Sequence, residues 1–497
     1  MYPKQAYLIL VFLSFAFTLR AQSDVDALRL SLQYNTGNAR NLGVGNTMGS
    51  VGGDISNINT NPAGLGRIST TEFNITPAVT IFNSSSEYIG NKLEDTKLKF
   101  NLYNIGAVFG SKYGKTDSKF GKIRFGISFN NIANLNQNFY MSGYNSHNSL
   151  VDRYYEQFLD NATTTNDLEN MYPFGASLAY ATDLIYFDTL DNGMYSALNN
   201  GNVQQDIIIQ RKGSLNEAAF ALASNYNNKI SFGATIGMPI LNFTETTKHK
   251  ETDKFDSSFN FNFFEQTNTY KMSGVGVNLK LGILAQPTKN VRLSLAFHTP
   301  SILFIDDAFN NKIDADYNTY TADATSPDGL VEYNLRLPWK LLTGASYINK
   351  YGFVSAEYEL SDAGAAKYNY KNANADIKEE QAQLNETIQD KYKLFHTIKL
   401  GVEGKFDPIR IRAGFQYQTT PFDNSVVVDA NSQRNFIYSA GLGFRKKKFY
   451  ADVAYQFVKG VESYTPYVLQ YEDASLQNTA QNSFKRSVVA LTIGFKL

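Results

Sequence analysis

From about Thr71 to Leu497 the chain alternates apolar and polar residues with a period of two, in segment after segment. Ile230, Phe232, Ala234, Ile236 and Met238 form one set, and Ser231, Gly233, Thr235 and Gly237 form the other. Val291, Leu293, Leu295 and Phe297 alternate with Arg292, Ser294, Ala296 and His298 in the same way. So do Ile409, Ile411, Ala413, Phe415 and Tyr417 with Arg410, Arg412, Gly414, Gln416 and Gln418. Side chains two apart share one face of a strand. The pattern predicts strands near 71–83, 98–110, 121–132, 205–227, 229–247, 255–286, 290–304, 330–348, 351–362, 391–405, 409–419, 434–445, 448–459 and 484–497. That makes about fourteen, and merging or splitting the long segments at 205–227 and 255–286 leaves about twelve or sixteen as alternatives. An even number suits a closed antiparallel barrel with both ends on one side of a membrane.

The connections alternate in length. Asn227-Asn228, Pro287 to Asn290, Asn349-Lys350, Asp407-Pro408 and Arg445 to Lys448 are short turns, whereas 133–204, 305–329, 361–390 and 460–483 are long and polar. Barrels carry short periplasmic turns and longer outer loops. Within the long connections, Val151 to Leu159, Met171 to Tyr186 and Ile377 to Lys391 are helix candidates.

Two segments precede the strands. Residues 1–21 carry Lys4, an apolar stretch from Ala6 to Leu19, then Arg20-Ala21. The stretch is shorter than a spanning helix needs and has the flanks of a cleavable export signal. The expected mature start is Gln22, although Leu19 stands where a small residue is usual. Residues 22–70 are different again: Asp24 caps a short helix with Val25, Leu28 and Leu32 on one side, and a glycine-rich run from Gly37 to Gly66 follows. Such a segment cannot build its own core, and the lumen of a barrel formed by 71–497 is one place that would hold it.

Composition narrows the class further. Hydrophobic residues make up 43% of the chain, and its mean hydropathy is -0.31, so after Ala21 no stretch could cross a bilayer as a helix. Tyr 32, Phe 36 and Gly 35 suit barrel walls, and Cys 0 excludes a disulfide scaffold. The fold class expected is all-β, a transmembrane antiparallel barrel with an N-terminal hatch in its lumen. Charge is balanced at 46 basic against 46 acidic residues. Losing Lys4 and Arg20 with the signal leaves the mature chain slightly acidic, which argues against nucleic acid as a partner.

The chain carries no pattern for an enzyme, a metal or a cofactor. Gly43-Val44-Gly45-Asn46-Thr47-Met48-Gly49 places its third glycine one residue late for a dinucleotide fingerprint, and Phe109 stands where the P-loop leading to Gly114-Lys115-Thr116 would need glycine. The four histidines His147, His249, His298 and His396 are scattered. Arg292, His298, Glu357, Glu359, Lys399, Glu403, Arg410 and Arg412 lie on the less apolar strand faces and would point into a salt-bridged lumen. Among them Arg292, Lys399, Arg410 and Arg412 are candidates to hold a ligand carboxylate.

Ala39 to Gly49, then Val51-Gly52-Gly53-Asp54-Ile55-Ser56, then Asn61-Pro62-Ala63-Gly64-Leu65-Gly66 together resemble the N-terminal hatch of the FadL/TodX outer-membrane transporters. Leu337-Pro338-Trp339-Lys340, Gly344 to Tyr347 and Ala440 to Phe444 extend the resemblance through the later strands. It implies a fourteen-stranded barrel in the outer membrane of a Gram-negative bacterium, working as a monomer among membrane lipids. The implied activity is passive uptake of hydrophobic small molecules such as long-chain fatty acids. Asn61, Pro62, Ala63 and Gly64 would be the gating motif of the hatch, close to the ligand path. Proline fixes its own torsion and biases the residue before it, so this step makes a defined bend.

In that family a kink in the third strand opens the wall, here near Asn130-Asn131-Ile132-Ala133-Asn134, where consecutive asparagines would interrupt pairing. Phe139, Tyr140, Tyr144, Tyr154, Tyr155 and Phe158 are candidates for a capture surface among the loops. A FadL-like barrel could instead hold an envelope protein partner as a secretion scaffold, since fold does not settle function. A dry apolar tunnel from the loops to Asn61 would favour transport, and a lumen filled by side chains would favour the scaffold. A polar-solute porin and a lipid-modifying barrel enzyme are the remaining alternatives.

Overall fold

The computed structural model describes residues 23–33, 37–110, 119–121, 123–161, 165–188, 193–198, 201–255, 258, 260–423, 434–470 and 476–497. The export signal expected over 1–21 and the tripeptide Gly114-Lys115-Thr116 lie outside them. Fourteen wall strands form one closed antiparallel barrel. They are β1 (Glu72–Tyr88), β2 (Asn91–Gly110), β3 (Arg124–Asn134, continued by Gln137–Asn145), β4 (Val203–Tyr226), β5 (Ile230–Thr252), β6 (Phe261–Ala285) and β7 (Val291–His298, continued by Ile302–Tyr317). There follow β8 (Thr321–Thr325, Gly329–Arg336 and Lys340–Asn349), β9 (Gly352–Asp362, continued by Lys367–Tyr370), β10 (Leu394–Phe406), β11 (Ile409–Gln418), β12 (Asn435–Arg445), β13 (Phe449–Tyr464) and β14 (Ala480–Lys496). β14 pairs with β1, Phe495 opposite Phe73 and Ile493 opposite Ile75, which closes the ring.

The apolar set of each alternation faces outward. Ile236, Met238, Leu281, Ile283, Leu293, Leu295, Val489 and Leu491 are all exposed, while the intervening Thr235, Lys280, Ala296 and Ala490 are buried. An apolar exterior around a polar interior inverts the usual soluble arrangement, and it is the arrangement a lipid surrounding stabilises.

The strands run further than the alternation suggested. β4, β5 and β6 have 24, 23 and 25 residues, so each spans about 80 Å at full extension, well over the thickness of a bilayer core. Part of the 305–329 connection is strand, because β7 and β8 continue their ladder from Lys312↔Thr325 to Asp316↔Thr321. β1 and β2 likewise meet in a tight turn at Ile89-Gly90, both with positive φ, where a loop was expected. These outer portions stand clear of the apolar band, so their faces no longer differ in polarity.

The N-terminal segment passes down the lumen from the outer end to the end with short turns. It comprises helices α1 (Asp24–Ser31), α2 (Ala39–Gly43) and α3 (Met48–Val51), then two 3-10 turns at Ile55–Ile58 and Pro62–Arg67. At the outer end the Tyr392 hydroxyl donates to Asp24 at 2.7 Å and that of Tyr368 to the Ser23 carbonyl at 2.9 Å. At the other end Arg67 donates to the Asn228 carbonyl at 2.8 Å. It packs closely against the wall: Ala39, Leu42, Val44, Met48, Ala63 and Leu65 are all at or near zero exposure.

The outer end is covered. After β3 the chain makes α4 (Leu150–Asn161), α5 (Thr165–Met171), α6 (Ala176–Ala181) and a small hairpin, which pack on Phe261, Phe264, Ile313 and Tyr317 of the extended wall. Ser149 Oγ and the Leu150 amide both donate to the buried Glu251 carboxylate, fixing the start of α4. A seventh helix, α7 (Ala375–Lys391), lies over α1 and buries Ile388 in the same core as Ala27 and Leu30.

Candidate functional site

The wall is broken between β2 and β3. Pairing between β2 and β3 covers Gly110↔Arg124 to Asn104↔Asn130 and, among the described residues, goes no further. β3 bulges between Asn131 and Ala133 and resumes at Gln137, held only by β4 on its other side. Its outer half turns inward, and Phe139 and Met141 join a buried cluster with Phe82, Tyr88, Ile207 and Ile209. β2 is left without a ladder partner on that side from Asn91 to Tyr103.

Side-chain bonds cross this seam where backbone bonds stop: Asn104 donates to Asn130, and Asn134 reaches past β2 to Thr80 of β1 at 3.1 Å. Asn131 and Asn136 hold β3 to β4 instead, donating to Asn216 and to the Gly213 carbonyl, each at 2.9 Å. Further out, the Lys97 ammonium donates to Asn138 Oδ1 at 2.9 Å and to the Arg211 carbonyl at 2.7 Å. An asparagine amide has the donor and acceptor of a peptide group without its fixed position in a ladder. Such a seam can part at lower cost than a hydrogen-bonded strand pair. Asn130 and Asn131, the expected kink, lie where regular pairing ends.

A chamber of about 490 Å³ lies just inside the wall, between α1 and the outer loops. Its apolar lining includes Val25, Phe174, Tyr270, Phe309 and Tyr464, and the Phe174 and Phe309 ring centroids are 4.9 Å apart. Its charged lining is a chain of ion pairs across the lumen. Arg29 pairs with Asp26 and reaches Glu245 at 3.5 Å; Arg211 reaches Glu245 at 2.6 Å and Glu462 at 2.8 Å. Arg29 lies over the Phe243 ring and Arg211 over that of Phe139. Burial raises the Asp26 carboxyl above its ordinary pKa, with Arg29 opposing the shift. Arg211 also donates to Gln137 at 2.9 Å, which sets the chamber next to the seam.

The four cations considered for a ligand carboxylate do not line this chamber. Arg292 donates to the Val51 carbonyl of the N-terminal segment. Lys399 pairs with Glu359 at 2.5 Å, and Arg410 with Asp407 on a short turn at 2.6 Å. Arg412 pairs with Glu403 at 2.6 Å and with Asp452 at 2.8 Å. Glu403 also receives the Arg40 guanidinium on two oxygens, at 3.0 and 2.9 Å, and Arg40 reaches Asp54 at 3.5 Å. Burial raises the Asp54 carboxyl, but Arg40 and the hydrogen bonds from Ser56 and Asn38 outweigh it and hold the group below the usual carboxylate range. Three of the four cations thus serve the wall or the segment's seat on it. Arg410 serves a turn.

Asn61 to Gly64 stand apart from the chamber, and none of residues 37–67 lines it. Asn61 is buried, donates to the Ile283 carbonyl at 3.2 Å and accepts from the Ala63 amide at 3.2 Å, which starts the turn that Pro62 continues. Two smaller cavities, of about 20 and 10 Å³, lie beside Asn59. The expected capture surface is largely packing: Phe139 lies in β3, and Tyr154 is buried beneath the outer helices.

Wall glycines make the seat of this motif. A Cβ at Gly282 would overlap Asn61 Oδ1, and one at Gly233 would overlap the Pro62 carbonyl group. A glycine inside a strand marks close approach of another backbone, a signal separate from the alternation. Gly282→Val is therefore expected to leave the barrel folded and loosen the segment. Overpacking of about 1–3 kcal/mol raises the open population about tenfold or more. Trypsin cleavage after Arg40 and Arg67 should accelerate by that factor, and an unchanged cleavage rate would show that the seat does not depend on this contact.

A closed barrel of fourteen strands with a folded N-terminal segment in its lumen and a break beside β3 is a FadL-type fold. No family model and no curated protein sequence matches the chain. Among solved structures, a Pseudomonas aeruginosa FadL homologue superposes with a TM-score of 0.54 at 13% identity, covering 93% of this chain and 99% of its own. The toluene transporter TodX of P. putida gives 0.50 at 11% identity, with 93% and 99% covered. At such identities the likeness concerns the fold.

Proposed function

We propose that this protein is an outer-membrane channel for passive uptake of hydrophobic or amphiphilic small molecules. The observation that carries the reading is the chamber with aromatic walls next to a seam where β2 and β3 part. A molecule entering among the outer loops would rest in the chamber and leave sideways between β2 and β3, into the apolar layer that the outward faces match. Long-chain fatty acids are one candidate cargo, and the likeness to a toluene transporter agrees with an apolar one. The export signal over 1–21, the outer-membrane location and action as a monomer belong to the same reading.

Asn61, Pro62, Ala63 and Gly64 then serve as the seal. They close the short-turn end, so that cargo leaves through the wall and water does not follow it. The reading needs no enzyme chemistry and no cofactor. The test is uptake of labelled C12 to C16 compounds by cells that lack their own hydrophobic uptake barrel. Expression of this protein is expected to raise the initial rate severalfold, to about ten times the empty-vector rate. A rate equal to the empty vector, with the barrel folded in the outer membrane, overturns the reading; co-purification of a stoichiometric envelope protein would then favour the scaffold.

A further inference from the structure

The chamber's chemistry bears on the polar end of the cargo. Every charged side chain lining it is accounted for by element: Asp26 and Arg29 from α1, Arg211 from β4, Glu245 from β5 and Glu462 from β13, with β6 and β7 contributing only amide, hydroxyl and aromatic groups. Two guanidiniums thus face three carboxylates, and each guanidinium already bridges two of them. If Asp26 were neutral, two cations would still meet Glu245 and Glu462 one for one. An incoming carboxylate would have to give up its water and displace Glu245 or Glu462, each only partly exposed, from its guanidinium partner.

Acceptors, by contrast, are in excess. The carboxylates of Glu245 and Glu462 have lone pairs beyond those the arginines use. Asn268 Oδ1 on the chamber wall, and Asn131 Oδ1 and Asn136 Oδ1 along the seam, are buried with no hydrogen-bond partner among the described residues.

We propose that the chamber takes the hydrogen-bond-donating head of an amphiphile, a hydroxyl, amide N–H or ammonium group, and discriminates against carboxylates. The inference rests on the uptake reading above and specifies its cargo. An alkyl chain would lie on Phe174, Phe309 and Tyr464, while its donor group meets Glu245, Glu462 and Asn268.

The test is binding of three C12 ligands, dodecanol, dodecylammonium and dodecanoate, to the full-length barrel by native mass spectrometry at pH 7.5. An amine-oxide detergent, which carries no donor hydrogen, avoids competition. The alcohol and the ammonium are expected to half-saturate the protein at concentrations at least about tenfold below dodecanoate. Glu245→Gln with Glu462→Gln, which releases Arg211, is expected to improve dodecanoate about tenfold or more. Should that protein fold poorly, Thr247→Arg supplies an unpaired guanidinium to the chamber and is expected to move dodecanoate the same way. Dodecanoate binding as tightly as the other two, or gaining nothing in either variant, overturns the proposal. If none of the three binds while uptake stands, the proposal alone fails; if uptake also matches the empty vector, the transport reading fails with it.

Discussion

Joining β2 to the outer half of β3 is expected to stop uptake. Lys97→Cys with Asn138→Cys places thiols where the wild-type side chains meet at 2.9 Å across the seam, and a short bifunctional thiol reagent would bridge them. The native chain has Cys 0, so labelling reports on these two positions alone. No backbone bond links the strands there, and parting them requires only side-chain hydrogen bonds worth about 1 kcal/mol each. A covalent tie removes that freedom entirely. Uptake is expected to fall at least about tenfold and to return when a cleavable linker is cut. The same linker between Phe109→Cys and Phe125→Cys, partners in the regular ladder, should change nothing. Undiminished uptake through the tied seam would move the exit to another part of the barrel.

The second large effect concerns the seat of the N-terminal segment. Arg40 is its main electrostatic hold on the wall, through two hydrogen bonds to Glu403 and contact with Asp54. Arg40→Ala leaves Glu403 with Arg412 and Asp54 with neutral donors only, in a largely dry setting. Breaking such a pair costs on the order of 3 kcal/mol. Because the wall keeps its own hydrogen bonds, that cost falls on the segment's docking and leaves the barrel folded. Single barrels in planar bilayers should then change from silent to visibly conducting, with openings about a hundredfold more frequent. Glu403→Gln added to Arg40→Ala should recover part of the closure, since Asp54 is then the one carboxylate of the pair left short of its partner. Silent Arg40→Ala barrels would mean that shape, through Gly233 and Gly282, holds the segment without the charges.

Sign and pH agree with this. The Asp54 carboxyl is held below its ordinary range, so its contribution is present above the unfolded-state pKa and is lost as pH falls through the lower, folded-state value. The seat is therefore expected to hold at neutral pH and weaken only in strong acid.

Much of the barrel was legible because an outward apolar face beside an inward polar one forces a period-two signal. All the strand positions expected from that signal correspond to wall strands. The signal ends where the apolar surroundings end, which is why Ser84 to Glu87 and Asp306 to Tyr317 read as loop although they are strand. Asn130 and Asn131 were visible as a run of amides in a strand. The chamber was not legible. Its charges come from α1, β4, β5 and β13, and nothing local in the sequence marks Arg29, Glu245, Arg211 and Glu462 as neighbours. For the same reason the partners of Arg412, which lie at positions 403 and 452, could not be paired with it beforehand.

The cross-lumen chain of ion pairs has a mechanical consequence. A closed ring of backbone hydrogen bonds behaves as a hoop, and a hoop cut at one point tends to gape or flatten under lateral pressure from its surroundings. Arg211 to Glu462 ties β4 to β13, and the cut between β2 and β3 falls on the arc between them. That strut carries load that the severed arc cannot, so the slot can widen locally while the cross-section elsewhere keeps its shape.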